Sequence, residues 1–268
     1  MNVSEYLSAN ELLTRHSKGQ RNFQGSTAIA VDLGNANLNR TNFSNANFRD
    51  SNLTKIKLIG ANLTASELSG ANLSGAKLIE ANLSNASLTG TILIGTDFSG
   101  AILSGAIFSG ADLSNSILIG ASMLGACFLN SSKLREANLT GATLSKAVLS
   151  SADLTQATFN RAIMGEIDLS GANLTGASLI RAYLNRGSLS GANLLLADLS
   201  EAILTETEMP AACLKKADLQ GSELTRSNLS GANLSGANLS GANLSGANLS
   251  GANLHQTNLT GADLSKAN

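Results

Sequence analysis

Large apolar residues recur along this chain at an interval of five. From Leu33 to Phe128 every fifth residue is Leu, Phe or Met, twenty positions in all. From Leu134 to Leu264 the same holds for twenty-seven more. Two residues before each stands a small residue, mostly Ala, with occasional Ser, Thr, Val, Ile or Gly. The position between them is usually Asn, Asp, Ser, Thr or Lys. Residues 230–254 are five identical copies of Ser-Gly-Ala-Asn-Leu. A period of five fits neither a helix at 3.6 nor a strand at 2. On one helix the Leu would drift by about 140° per step and never form a face. A chain that turns a corner every five residues accounts for the pattern. The large residue and the small one two places earlier then point inward, and the other three face water. Gly, Asn or another turn-tolerant residue is common two places after the Leu, where the corner is expected. Coils stacked at the ~4.8 Å strand spacing would pair their backbones as a parallel sheet does.

Segments such as Ala71-Asn72-Leu73, Ala111-Asp112-Leu113 and Ala232-Asn233-Leu234 resemble the pentapeptide-repeat family, whose motif is A-(D/N)-L-x-x. The resemblance covers roughly nine-tenths of the chain. It implies an all-β right-handed quadrilateral parallel β-helix, with four pentapeptides in each coil of twenty residues. The stretch from Glu11-Leu12-Leu13 to Arg21-Asn22-Phe23 is similar to the lead-in of cyanobacterial members, some of which take part in controlling cell differentiation. An independent sign of the number four comes from Lys146, Glu166, Arg186, Glu206 and Arg226. They occupy equivalent places at intervals of twenty, and their charges alternate. Twenty residues per coil would stack them in one column, where opposite neighbours attract.

The repeat divides the chain into residues 1–22 and 23–268. The first segment is expected to form a short helical cap, started by Asn2 or Ser4, carrying Val3, Tyr6, Leu7, Leu12 and Leu13, and ended by Gly19. Phe23 and Ala28 continue the register backwards, so the first coil is expected at Phe23. Between Phe128 and Leu134 the spacing is six, which predicts a one-residue bulge at a corner within 129–133. Pro210, lacking an N–H, is expected to weaken pairing between coils locally. The repeats run to Ala267 and Asn268 with no helix or polar cap; either the chain is truncated there or a second copy covers that edge, and pairing with a second copy is the expectation.

Composition narrows the function. The 268 residues include 18 Lys or Arg and 19 Asp or Glu, a formal net charge of −1. Charged residues make up 14%, aromatics 3%, and there is no Trp. The charge balance excludes a strongly basic nucleic-acid binder. It also argues against a DNA mimic that modulates a type II topoisomerase, a role the resemblance otherwise leaves open. No run of about 18 apolar residues is present and Met1 to Gln20 lack a signal pattern, so a cytoplasmic protein without membrane contact is expected. Cys127 and Cys213 are isolated, in outward places about four coils apart, too far for a disulfide. His16 and His255 lie at opposite ends, so no Ser/His/Asp set can assemble from them. Asp97, Asp112, Asp153, Asp198 and Asp218 fill the outward slot of the motif. No enzyme, cofactor or metal is expected.

One side is more suggestive. Ile59, Ile79 and Ile119 each follow a central residue at twenty-residue intervals, with Ser99 interrupting. Beyond the extra residue the series runs through Thr140 and Asn160 to Ile180. Lys57 and Lys77 flank it near one end, Arg161 and Arg181 further along. Exposed isoleucines beside cations mark this stripe as a candidate face for a protein partner. The reading is therefore a non-catalytic scaffold, with self-association through the C-terminal end and topoisomerase mimicry as alternatives.

Overall fold

The computed structural model describes residues 5–268. The parallel pairing is regular: the residue before each central position is bridged to its counterpart one coil on, twenty residues later except across the extra residue, as in Asn52 with Asn72 and Asn62 with Asn82. Four repeats separate bridged partners, which gives the coil four faces. Face 1 is centred on Leu33, Leu53 and Leu73, face 2 on Leu38, Leu58 and Leu78, face 3 on Phe43, Leu63 and Leu83, face 4 on Phe48, Leu68 and Leu88. The central residues and the small residues two places earlier form one continuous buried core. Phe23 stacks on Phe43 at 5.5 Å between ring centroids, and Phe108 on Phe128 at 4.6 Å.

One repeat shows why these residues form this coil. In Ala71–Gly75, the Ala71 N–H donates to the Leu68 carbonyl (2.9 Å) and closes the corner. Asn72 N–H donates back to Ser51 of the previous coil (2.9 Å), while Leu73 and Gly75 donate forward to Ile92 (2.7 Å) and Ile94 (2.9 Å). The fifth N–H, that of Ser74, has no backbone acceptor; Asn72 Oδ1 takes it at 3.0 Å, and the Ser74 hydroxyl at 2.7 Å. Every backbone donor is satisfied, as a chain with so little unpaired backbone requires. Asn or Asp before the Leu, and Ser or Thr after it, are thus selected by a local side-chain bond. Each corner places the residue two after the central one at positive φ, from Gly70 at 72° down to Arg40 at 53°. That is the geometry of a type II turn, in which Gly is least strained.

The N-terminal segment differs from expectation. Helix α1 spans Ala9–Ser17, and its N-cap is Ser8, whose side chain accepts the Glu11 N–H at 3.2 Å. Ser8 with Glu11 three residues later fits the S-x-x-E capping pattern, and the helix starts directly after Ser8. Asn2, Val3 and Ser4 lie outside the described residues. Tyr6 and Leu7 are extended rather than helical: Tyr6 is bridged to Thr27, Thr27 N–H donates to Glu5 (2.8 Å) and Leu7 N–H to Thr27 (2.9 Å). This short segment pairs ahead of the coil at Phe23. Leu12 is buried in the core, and the Arg15 guanidinium lies 5.7 Å from the Phe23 ring centre.

At the six-residue interval, Asn130 and Ser131 both adopt positive φ, 57° and 55°, so the extra residue is absorbed in the corner. Pairing then resumes twenty-one positions on, with Asp112 bridged to Lys133. Pro210 does not weaken the ladder, contrary to expectation. Met209 and Ala211 donate forward at 2.7 and 2.8 Å, and the Pro210 carbonyl accepts from Gly191 at 2.9 Å. The nitrogen at that position never enters the ladder, so proline removes nothing from it. No described helix is long and apolar enough to cross a membrane.

Candidate functional site

Stacking gathers the eight residues of the predicted stripe on face 2 and its exit corner. Lys57 and Lys77 are bridged to each other in the column Asn37, Lys57, Lys77, Asp97. Ile59, Ile79, Ile119 and Ile180 form the parallel column after the central residue, held in register by bonds such as Gly60 N–H to the Ile79 carbonyl (2.9 Å) and Arg161 N–H to the Ile180 carbonyl (2.9 Å). Arg161 and Arg181 occupy the corner that leaves this face. Lys57, Lys77, Arg161, Arg181 and Ile119 are exposed, whereas Ile59, Ile79 and Ile180 are half-buried. An asparagine one coil earlier accepts the N–H of Ile59 (Asn39, 2.8 Å) and of Ile180 (Asn160, 3.0 Å), and so lies against them.

The charges on this rod are distributed unevenly. Further along, several cations have partners one coil away: Arg181 Nε with Glu201 at 2.7 Å, Arg186 Nε with Glu206 at 2.9 Å, Arg226 with the same Glu206 at 3.4 Å, Lys146 with Glu166 at 3.8 Å, while Arg161, Lys215, Lys216 and Lys266 form no ion pair among the described residues. The Arg181 hydrogen bond holds the Glu201 carboxyl below its usual range, and Arg186 does the same for Glu206. Glu166 and Arg186 are neighbours in the corner column between faces 3 and 4, without an ion pair within 4 Å. Nearer the N-terminus, Arg40, Lys55, Lys57 and Lys77 form no ion pair among the described residues.

The remaining polar candidates have local duties. Asp97 Oδ1 accepts both the N–H and the hydroxyl of Ser99, at 3.0 and 2.6 Å, and Asp112, Asp153 and Asp198 bind Ser114, Thr155 and Ser200 likewise. Asp218 accepts the Gln220 N–H at 3.0 Å. Burial acts to raise the Asp153 pKa, but hydrogen bonds from Thr155 and Arg135 outweigh it and leave the group lowered. Cys127, on face 4, and Cys213, on face 1, are free thiols. Among the described residues no cluster of His, Cys, Asp or Glu is arranged to hold a metal ion.

Sequence reading missed one feature. Ile92, Ile94, Ile102, Ile107, Ile117 and Ile119, with Leu124 and Leu129, are all exposed, and together they ring all four faces within two coils. In that stretch Asp112 is the one charged residue between Asp97 and Lys133. The signal was available, since isoleucine replaces Asn or Asp in the outward slot at 92, 102, 107 and 117. Face 2 crosses this belt at Ile117 and Ile119.

A family model described as "Pentapeptide repeats (8 copies)" matches residues 29–64 and 66–105, then overlapping segments from 103 through to 268. Among solved structures, HetL, a pentapeptide repeat protein involved in heterocyst differentiation regulation from the cyanobacterium Nostoc sp. strain PCC 7120, is 31% identical. The match covers 97% of this chain and 98% of HetL, with a TM-score of 0.31. Rfr23 from the cyanobacterium Cyanothece 51142 is 42% identical over 32% of this chain and 60% of its own, TM-score 0.26. Full-length QnrB1, a plasmid-mediated fluoroquinolone resistance protein, is 20% identical over 89% and 93%, TM-score 0.30. A comparison with curated protein sequences returned no match.

Proposed function

This chain belongs to the pentapeptide-repeat family, and from that premise we propose that it is a non-catalytic, rigid scaffold that holds a protein partner along face 2. The family forms right-handed quadrilateral β-helices, and nothing in the filled core of such a rod offers a cleft for a reaction. Rigidity follows from the backbone ladder, which runs without a break from coil to coil. The observation that carries the proposal is the make-up of face 2. Unpaired Lys57 and Lys77 at one end lead to exposed Ile117 and Ile119 in the belt, so charge and apolar area lie in register on one flat side. A face without a reaction centre acts by holding its partner, which is compatible with a regulatory role.

The test is a cross-linked pull-down with the intact protein, comparing wild type with Ile59→Asn/Ile79→Asn. Both side chains are half-buried and lie outside the core, so the variant should melt as wild type does. The expected outcome is a specific protein captured by wild type and lost, at least about tenfold, with the variant. Equal capture by both would remove face 2 from consideration. Recovery of the protein itself alone would favour self-association instead.

A further inference from the structure

Between α1 and face 2 lies a cavity of about 380 Å³ lined by His16, Arg21, Asn37, Asn39, Arg40 and Ile59. No carboxylate lines it. Arg21 is held in place by donating from Nη1 to the carbonyls of His16 (2.8 Å) and Gln20 (2.9 Å). Nε2 of His16 is buried and has no hydrogen-bond partner. A second cavity, of about 460 Å³, is lined by Asn35, Lys55, Lys57, Gly75 and Lys77. The two adjoin, because Asn37 of the first and Lys57 of the second are bridged neighbours. The result is one strip with Arg21, Arg40, Lys55, Lys57 and Lys77 along it and no acidic lining residue.

We propose that this strip recognises an acidic peptide segment of the protein partner. One carboxylate seats between Arg21, Arg40 and His16, and further carboxylates lie over Lys55, Lys57 and Lys77. The inference rests on face 2 being the partner face and names what the partner brings to it. Like charges stacked directly opposite one another, as Lys57 and Lys77 are, disfavour the free protein and are relieved by an anion. A guanidinium accepts a carboxylate in two-point geometry, while the lysines act as point charges. The column from Asn37 to Lys77 spans about 10 Å at ~4.8 Å per coil, the reach of three extended residues, and longer than a single ion requires. Single-stranded nucleic acid, the other polyanion of that width, needs aromatic platforms for its bases. Here all seven phenylalanines are buried in the core, Tyr183 is on face 3, and exposed Tyr6 is bridged to Thr27 in the outward column of face 4, so none lies on face 2.

His16 makes the site responsive to pH. It is faced by Arg21 from the lead-in and Arg40 from face 2, while Arg15 on its own helix is engaged by Glu5 and Glu11. Burial first, and Arg21 second, hold its imidazole below the ordinary 6.5. A carboxylate beside it favours the imidazolium, so binding tightens as pH falls from 8 to 6.

The experiment titrates the intact protein against a fluorescein-labelled peptide of alternating Glu and Ala at low salt, read by anisotropy, beside its Gln counterpart and an oligothymidylate. The expected result is that the Glu peptide binds at least about tenfold more tightly than the Gln peptide and the oligothymidylate. Arg40→Glu/Lys57→Glu, checked by its melting temperature, should weaken it at least tenfold, and His16→Gln should abolish the tightening between pH 8 and 6. The proposal is overturned by equal affinity for Glu and Gln peptides, by equal or tighter oligothymidylate binding, or by binding indifferent to Arg40→Glu/Lys57→Glu in a variant that melts normally. Should the peptide fail while Ile59→Asn/Ile79→Asn still loses its partner, the acidic chemistry falls alone; should the partner also be retained, both readings fall.

Discussion

Ser116 stands where most repeats carry Ala, fully buried, and its hydroxyl finds no partner. One coil earlier in the same inward column, Thr96 donates its hydroxyl to the Leu73 carbonyl at 2.8 Å. An unpartnered buried hydroxyl costs about 1–3 kcal/mol, whereas a made bond contributes about 1. Ser116→Ala is therefore expected to stabilise by about 1 kcal/mol and Thr96→Ala to destabilise by about as much, measured by urea unfolding. The two changes shifting the midpoint in the same direction would contradict the argument. A second inward pair depends on size. Ile167 occupies a small-residue place, and the residue stacked on it is Gly187, where a Cβ would lie 3.2 Å from Ile167 Cγ2 and 2.9 Å from the Leu184 carbonyl oxygen. Gly187→Ala should cost about 1–3 kcal/mol through overpacking. Combining it with Ile167→Ala should recover part of that loss, a coupling of about 0.5–3 kcal/mol. Strict additivity in the double-mutant cycle would show that the two do not share one space.

Elements here are single faces and corners, each joined to its neighbours twenty residues away. The corner at Asn130 and Ser131 shows how such an element tolerates insertion: both residues turn left-handed, and the faces on either side keep their pairs. The corner ion pairs respond to acid in a direction that follows from their shifts. Glu201 and Glu206 are held below the ordinary 4.5, so the unfolded chain takes up their protons first on acidification. Their contribution is complete above about pH 4.5 and is lost as pH falls through the lowered values. Wild type should therefore melt above Glu201→Gln/Glu206→Gln at pH 7, and that gap should narrow as pH falls below about 4.5. A gap that persists in acid would mean that the glutamates act through packing and not through charge.

Across the whole molecule, some twelve coils at ~4.8 Å make a rod of about 60 Å. Duplex DNA carries one negative charge per about 1.7 Å, while this rod has a net charge of −1 with cations and acids interleaved along its corners. A gyrase supercoiling assay is accordingly expected to show no effect at micromolar protein. Inhibition or protection there would overturn the scaffold reading in favour of topoisomerase mimicry. The apolar belt near the middle and the unpaired cations near α1 give the rod distinct regions, although every coil has the same backbone.

Period, inward positions and corner positions were all legible in the residues, because a five-residue repeat states its own geometry: Leu and Ala must be covered, and Gly or Asn must turn. The one-residue insertion was legible for the same reason. The start of α1 was misplaced at Asn2 or Ser4 because the Ser8–Glu11 capping pattern was not read, and because the pairing of Glu5 and Leu7 with Thr27 joins residues distant in the sequence. Pro210 was misjudged because nothing in a linear pattern says which of five N–H groups lies outside the ladder. The stripe from Lys57 to Arg181 could be listed from spacing, but its depth could not: Ile59, Ile79 and Ile119 occupy the same repeat position, yet the first two are half-buried and the third is exposed. His16 and Arg40, twenty-four residues apart, share a cavity because α1 docks against face 2. Composition and periodicity determine which side chains face water; which of them meet is decided by stacking, since that alone brings residues twenty apart within about 5 Å.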